Sequence, residues 1–270
     1  FVSIPGVKDP SELHCQDPYD FRAVWDRALR AAIPWAEDNR TLAEPVLPTI
    51  RDPIRPTDSG NGERFAEQHQ AKARFCVERN AWFVWDDVRW RVNDTEARRL
   101  AKQTNRSMYA EAAAITNKED RVRLAEHAKR SESTRSLNAM LVEAASEGAI
   151  TTLLADFDSE RTHFLLNCEN GLVDLRSGKL ISPNRDLLIT KLAPVRYDPD
   201  ATHQAWESFL QRMLPSPEGR DFLQRAVGYT LTGSTADECL FFLHGPTAAG
   251  KSTFLEAIKA TLGDYTATTD

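Results

Sequence analysis

One segment of the sequence carries residues whose types and spacing suit phosphate chemistry. Its pattern is G-x-x-x-x-G-K-[ST], which begins at Gly245 and ends with Gly250, Lys251 and Ser252. Small residues let successive backbone N–H groups turn inward around an anion, and a following helix adds its N-terminal partial positive charge. The pattern predicts that Lys251 reaches the β- and γ-phosphates of a nucleotide and that the Ser252 hydroxyl ligates Mg²⁺.

The flanks of this loop favour the same interpretation. Residues 240–243 form a short continuous apolar run, which is typical of a buried parallel strand. Apolar residues then recur at helical spacing over 253–262, and Gly263 is a suitable C-terminal cap. The alternative is an ordinary glycine-bearing loop between a core strand and a core helix. The candidate nucleotide-binding residues are Gly245, Pro246, Thr247, Ala248, Ala249, Gly250, Lys251, Ser252 and Thr253.

Composition limits the class of protein that has to position this loop. The 270 residues, 41% hydrophobic and 27% charged, can form about two domains. The longest apolar run is too short to cross a bilayer, and no signal-peptide pattern is present. The first residue is Phe rather than Met, so we expect a piece of a longer protein. The four cysteines form no C-x-x-C pair, which argues against zinc or disulfides and for a reducing cytoplasm.

Charge alone does not identify a nucleic-acid surface. The net charge is −6, and only the central part, residues 61–150, is positive, at +2. A predicted helix over 118–129 is the most basic, and its acidic neighbours favour a solvated face over a binding surface. A close carboxylate group, Asp156, Asp158 and Glu160, could hold a metal, but without a nearby histidine a solvated turn is favoured.

Periodicity divides the chain into a linker, two β regions and several helices. Prolines spaced through residues 41–58 predict an extended linker. A helix over 63–70 precedes strands over 73–78, 81–85 and 88–92, whose tryptophans Trp82, Trp85 and Trp90 could form a core or a base-stacking surface, the core being favoured. Helices follow to residue 146, with a break near Asn105. The second β region spans 163–197 and ends in a long strand over 187–197.

Five stretches in a fixed order resemble one known family. They are the segment 58–66, the tryptophan-bearing hairpin 82–90, the N-x-x-N-G signature 167–175, the GYTLTG segment 228–233, and the loop 245–253 with the LGDY tail 262–265. Together they resemble the primase–helicase proteins of phages, plasmids and large DNA viruses, whose C-terminal part is a superfamily 3 helicase. Residues 8–13 are similar to the exit of a Toprim-type primase domain.

The resemblance implies a domain order and a function. Residues 1–40 would be the tail of a Toprim-type domain, 41–58 a linker, 59–200 the domain that precedes the helicase, and 201–270 the start of the ATPase domain with its Walker A loop. The expected fold is therefore a mixed α+β part followed by the start of an α/β, AAA+-like P-loop domain. The implied cofactors are ATP and Mg²⁺, and the implied partners are single-stranded or forked DNA and further copies in a hexamer. The implied location is the bacterial cytoplasm.

The sequence departs from the family's pattern in one respect. A hydrolytic P-loop enzyme also needs a second acidic motif, a polar sensor and an arginine finger, and none follows Lys251 within the 270 residues. These residues alone are therefore expected to bind nucleotide without appreciable hydrolysis. Two alternatives to the helicase stay open, a P-loop phosphotransferase or signalling ATPase, and a non-enzymatic assembly collar.

Overall fold

The computed structural model describes residues 55–268. The chain divides into two units, Phe1–Asp52 and Pro53–Asp270, and every described residue belongs to the second. The predictions of a Toprim-type tail over 1–40 and of most of the linker over 41–58 lie outside the described residues. None of the described helices is long and apolar enough to cross a membrane.

The first helix, α1 (Asp58–His69), begins five residues before the predicted start at residue 63. Thr57 caps it by accepting a hydrogen bond from the Gly60 N–H at 3.0 Å. Two glycines inside the helix hid this start, because glycine ordinarily disfavours helix. At Gly62 the absent side chain is what packing requires, since a Cβ there would lie 2.6 Å from the Glu143 Cβ of a neighbouring helix.

The first sheet contains strands β1 (Ala73–Cys76), β2 (Ala81–Trp85), β3 (Trp90–Val92) and β4 (Thr151–Thr152), in the order β3-β2-β1-β4. The first three form an antiparallel meander, and β4 pairs with β1 in parallel. Asn80 and Asp87 occupy the turns with φ of 47° and 74°, as their predicted turn positions require.

Three helices follow β3 in the chain: α2 (Asp94–Ala114), α3 (Lys118–Arg130) and α4 (Thr134–Ala144). Helices α2 and α4 share a core with the sheet, whereas α3 packs against α2. The predicted break near Asn105 is wrong, because α2 runs through that residue without interruption. Asn105 and Met108 are buried on one face of α2, and Met108 packs against Leu124 of α3. Tertiary packing here overrides the weak helix propensity of asparagine.

The two faces of the first sheet support different cores. Trp82 and Val84 point to the helices and join Phe65 of α1, whereas Phe83 and Trp90 point away and pack with Phe157. Trp82 is 6% exposed and Trp90 is fully buried. The prediction that these tryptophans form a core is therefore confirmed, and the base-stacking alternative is wrong for both.

The second sheet contains β5 (Leu165–Cys168), β6 (Gly171–Asp174) and β7 (Lys179–Ile181) in an antiparallel meander. The predicted long strand over 187–197 is wrong. A 3₁₀ turn occupies Arg185–Leu187, and only a single bridge joins Ala193 to Cys168. Side chains take the backbone groups that a strand ladder would use, since Asn167 donates to the Lys191 carbonyl at 3.0 Å.

The last part of the described chain contains three helices: α5 (Gln204–Met213), α6 (Pro217–Thr230) and α7 (Lys251–Leu262). The strand predicted over residues 240–243 is not formed. Leu240 and Phe242 are 89% and 80% exposed, and no described residue pairs with this segment. A strand needs neighbours for its N–H and C=O groups, and none of residues 55–268 supplies them here. The α/β domain expected from residue 201 therefore stays a prediction.

Candidate functional site

The candidate phosphate loop turns sharply through three residues with positive φ. These are Gly245 at 151°, Ala248 at 61° and Gly250 at 87°. Gly250 is also the residue that immediately precedes α7. Left-handed residues in such a turn direct neighbouring N–H groups to the same side, which is the geometry of an anion-binding nest. The loop therefore ends at a helix N-terminus, where further N–H groups lack intrahelical partners.

Lys251 lies across this loop. Its ammonium donates hydrogen bonds to the carbonyls of Gly245, at 2.9 Å, and of Pro246, at 2.8 Å. Across the described residues, 55–268, no carboxylate lies within ion-pair distance of this ammonium. The cation is held by carbonyl oxygens alone, so an anion at the loop would find a positive charge that no acidic side chain neutralises.

The two residues after Lys251 present their hydroxyls to solvent. Ser252 and Thr253 are both exposed in the first turn of α7. The first intrahelical bond of this end runs from the Phe254 N–H to the Gly250 carbonyl, at 2.9 Å. The N–H groups before Phe254 therefore belong to the free N-terminal end of α7, which carries a partial positive charge.

Helix α5 supports the loop from behind with apolar side chains. A Cβ at Gly250 would lie 3.0 Å from the ring of Phe209 and 3.5 Å from Met213. Trp206 stacks on Phe209 at 5.4 Å between ring centroids and on Phe254 of α7 at 6.0 Å. Gly250 is thus required twice, once for its left-handed backbone and once for the close approach of α5.

The donor set of the loop fits a nucleotide with Mg²⁺. Backbone N–H groups and an ammonium suit phosphate oxygens, and Ser252 offers a hydroxyl oxygen of the kind that Mg²⁺ prefers. Among residues 55–268 no group of three or more His, Cys, Asp or Glu is arranged to hold a metal. This does not conflict with Mg²⁺, which keeps several waters and takes few protein ligands.

Two carboxylates of the loop around residues 156–160 accept structural hydrogen bonds. Asp156 accepts a hydrogen bond from the Leu153 N–H at 2.8 Å, and Asp158 accepts from the Thr190 N–H at 2.8 Å and from its hydroxyl. Asp156 and Asp158 thus bond to backbone groups of a turn, which is the structure that the sequence analysis favoured for this group. On the basic helix α3, Arg123 lies 3.9 Å from Asp120, as expected of a solvated face.

Sequence reasoning missed the residues that position the loop. Trp206, Phe209 and Met213 lie at helical spacing, but nothing in that spacing indicates that their helix packs against Gly250. Ala248 was also missed as a left-handed residue, because alanine carries no preference for that conformation. The signal that existed was the run of small residues over 245–250, which tolerates a tightly turned backbone.

The described fold and loop define a class: a helical domain with two small sheets, followed in the same chain by a glycine-bearing loop at a helix N-terminus. Residues 62–215 match the family model described as "D5 N terminal like". This match covers more than half of the chain, so the chain belongs to the D5 N-terminal-like family. The resemblance to phage and viral primase–helicases is thereby confirmed.

One relative adds to this assignment. The chain is 28% identical over 131 residues to a protein of Acanthamoeba polyphaga mimivirus that carries the name "Putative helicase L207/L206". The aligned region is 47% of this chain but 13% of the viral protein. The chain therefore corresponds to a small part of that relative's length.

Proposed function

We propose that this chain is part of an ATP-dependent DNA helicase of the primase–helicase type, and that residues 245–253 hold ATP with Mg²⁺. The observation that carries the proposal is the position of the Lys251 ammonium. It lies across a loop that contains three residues with positive φ and ends at the N-terminus of α7. That loop follows a D5 N-terminal-like domain in the same chain. The name of the mimivirus relative supports the helicase assignment over a phosphotransferase.

In this proposal the loop backbone, Lys251 and Ser252 have separate tasks. The backbone N–H groups of Gly245 and of residues 247–250 surround the phosphates, and Lys251 leaves its two carbonyl partners to contact the β- and γ-phosphates. The Ser252 hydroxyl ligates Mg²⁺, which neutralises charge between the β- and γ-phosphates. Single-stranded or forked DNA is the proposed substrate of the motor, and a homo-hexamer is its proposed assembly.

Nucleotide binding is tested on the chain itself with a matched lysine pair. Lys251→Ala should weaken the affinity for AMP-PNP with Mg²⁺ by about 10–100-fold, because a charge-assisted contact to phosphate is lost. Lys259→Ala is the control, since Lys259 lies on the same helix and donates to Thr268 at 3.2 Å. Isothermal titration calorimetry measures both. The proposal fails if the unaltered chain does not bind AMP-PNP or if Lys251→Ala binds it equally well.

The helicase assignment needs a second measurement on the full-length protein. We expect single-stranded DNA to stimulate ATP turnover and Lys251→Ala to abolish it, since phosphoryl transfer depends mainly on positioning and charge neutralisation. Turnover that DNA does not change would contradict the helicase and favour a phosphotransferase or a signalling ATPase.

A further inference from the structure

Helix α7 is fixed at its C-terminal end as well as at the loop. The chain leaves α7 at Gly263 and forms a 3₁₀ turn, Gly263–Tyr265, that lies against the second sheet and the segment after it. We call Arg89, Asn167, Leu192, Asp264 and Tyr265 the α7 clamp. Arg89, Asn167 and Leu192 belong to the D5 N-terminal-like region. Asp264 and Tyr265 come directly after α7, the helix that follows the candidate nucleotide loop.

Asp264 makes the polar part of the α7 clamp. Its carboxylate forms an ion pair with Arg89 and accepts a hydrogen bond from the Leu192 N–H at 3.1 Å. The Asp264 N–H in turn donates to the Leu192 carbonyl at 3.2 Å. Asp264 and Leu192 are therefore joined in both directions, and Arg89, which lies just before β3, adds a charge.

Asn167, which is buried, and Tyr265, which is half-buried, make the second part. The Tyr265 hydroxyl accepts a hydrogen bond from the Asn167 N–H at 3.0 Å, and burial raises the pKa of Tyr265 to about 12, so the hydroxyl stays neutral. Asn167 is fully buried and also donates from its side chain to the Val88 and Lys191 carbonyls, at 3.1 and 3.0 Å. One asparagine thus connects the 3₁₀ turn after α7, β5 and the segment before β3.

The end of α7 is also closely packed. Gly263 has a φ of 51°, and a Cβ there would lie 2.3 Å from the Pro194 Cδ. Leu262, the last helical residue, is buried with Leu166 and Val173 of the second sheet. The position of α7 is therefore set by the D5 N-terminal-like region.

We propose that the α7 clamp is a positioning device for the nucleotide loop, so that nucleotide affinity depends on the Arg89–Asp264 pair. The inference rests on the proposed function. Arg89 and Asp264 touch no part of the loop, since α7 has 12 residues and is about 18 Å long. A helix released at its C-terminal end would have to be ordered again when the nucleotide binds, and that cost lowers affinity. By reciprocity, bound nucleotide stabilises the α7 clamp.

The test measures AMP-PNP affinity, with Mg²⁺, in the full chain. We expect Arg89→Ala and Asp264→Ala each to weaken binding about fivefold or more, and the double variant to be no weaker than the single ones. Arg89→Lys should restore most of the affinity. Arg91→Ala is the matched control, because Arg91 lies on β3, is exposed, and has its nearest acidic partner in Asp86 at 3.8 Å.

A second measurement needs no substitution in the α7 clamp. AMP-PNP should slow hydrogen exchange of the amides of residues 189–193 in the unaltered chain but not in Lys251→Ala. A general gain in folding stability would slow exchange equally in β2, residues 81–85, so protection that is larger at 189–193 than in β2 is the result that supports the α7 clamp. If Arg89→Ala binds AMP-PNP as tightly as the unaltered chain, and AMP-PNP does not change hydrogen exchange at 189–193, the inference is overturned but the proposed function is not. An unaltered chain that does not bind AMP-PNP would overturn the proposed function as well.

Discussion

Two apolar segments of similar length behave in opposite ways. Residues 81–85 form β2 with a strand on either side, and Phe83 and Val84 are 3% and 5% exposed. Residues 239–243 are as apolar, yet Leu240 is 89% exposed and no described residue pairs with the segment. The difference shows that an apolar run gives a segment the capacity to be a strand, and that partners decide whether it becomes one.

The largest expected effect compares a buried aromatic residue with an exposed one. Trp90 is fully buried and its indole N–H donates to the Arg185 carbonyl at 2.8 Å. Trp90→Ala should lower the free energy of unfolding by about 3–5 kcal/mol, because it leaves a cavity and an unpaired carbonyl. Guanidinium unfolding followed by circular dichroism measures it. A cost below about 1 kcal/mol would mean that the first sheet is no better packed than residues 239–243.

A smaller effect tests how closely α1 and α4 pack. Gly62→Ala should cost about 1–3 kcal/mol, since its Cβ would lie 2.6 Å from the Glu143 Cβ and 2.9 Å from the Ala144 nitrogen. Gly148→Ala is the control, because a Cβ there has no atom within 4 Å. Thermal unfolding of both variants checks the difference. Equal midpoints would show that the two helices do not approach so closely.

Acid should weaken the well-packed region through a buried histidine. Burial, with Arg130 and Arg64 nearby, lowers the pKa of His127 below its ordinary value of 6.5, although Asp58 opposes the shift. The neutral ring contacts the Asn61 side-chain carbonyl at 3.0 Å and the Ser131 hydroxyl at 3.3 Å. The unfolded chain therefore binds a proton at a higher pH than the folded chain does, so stability falls as the pH drops below 6.5.

The slope of this loss is limited by proton linkage. His127 contributes at most about 1.4 kcal/mol per pH unit, and His69, whose pKa burial also lowers, adds a similar term. Urea unfolding at pH 7.5, 6.5 and 5.5 measures the slope. His127→Gln keeps a hydrogen-bonding side chain and should give a shallower slope than the unaltered chain. An equal slope in both would assign the effect elsewhere.

Local patterns predicted those parts of the fold that depend on neighbours in sequence. Strand β2, the turns at Asn80 and Asp87 and the start of the loop at Gly245 all follow from side-chain chemistry within a few residues. The failures came from distant contacts. Gly62 lies inside α1 where that helix packs closely against Glu143, and Met108 of α2 packs against Leu124 just past the predicted break. The side chains of Asn167 and Asp264 bond the irregular segment 187–197.

The same division holds at the candidate site. Lys251 and Ser252 were predicted from spacing alone, because the chemistry of phosphate binding fixes their order along the chain. Phe209 packs behind Gly250, which lies 41 positions further along the chain. In the α7 clamp, Asp264 bonds to Arg89 across 175 positions. No single-sequence pattern carries that information.

The smallest expected effect concerns the exposed segment itself. Phe242→Ser should change the free energy of unfolding by less than about 0.5 kcal/mol, because the ring is 80% exposed and gains little from folding. It should nevertheless reduce self-association, since Leu240 and Phe242 together expose apolar surface to other molecules. Chemical unfolding and sedimentation velocity separate the two effects. A loss of several kcal/mol would show that residues 239–243 are packed in solution, and the contrast with β2 would then disappear.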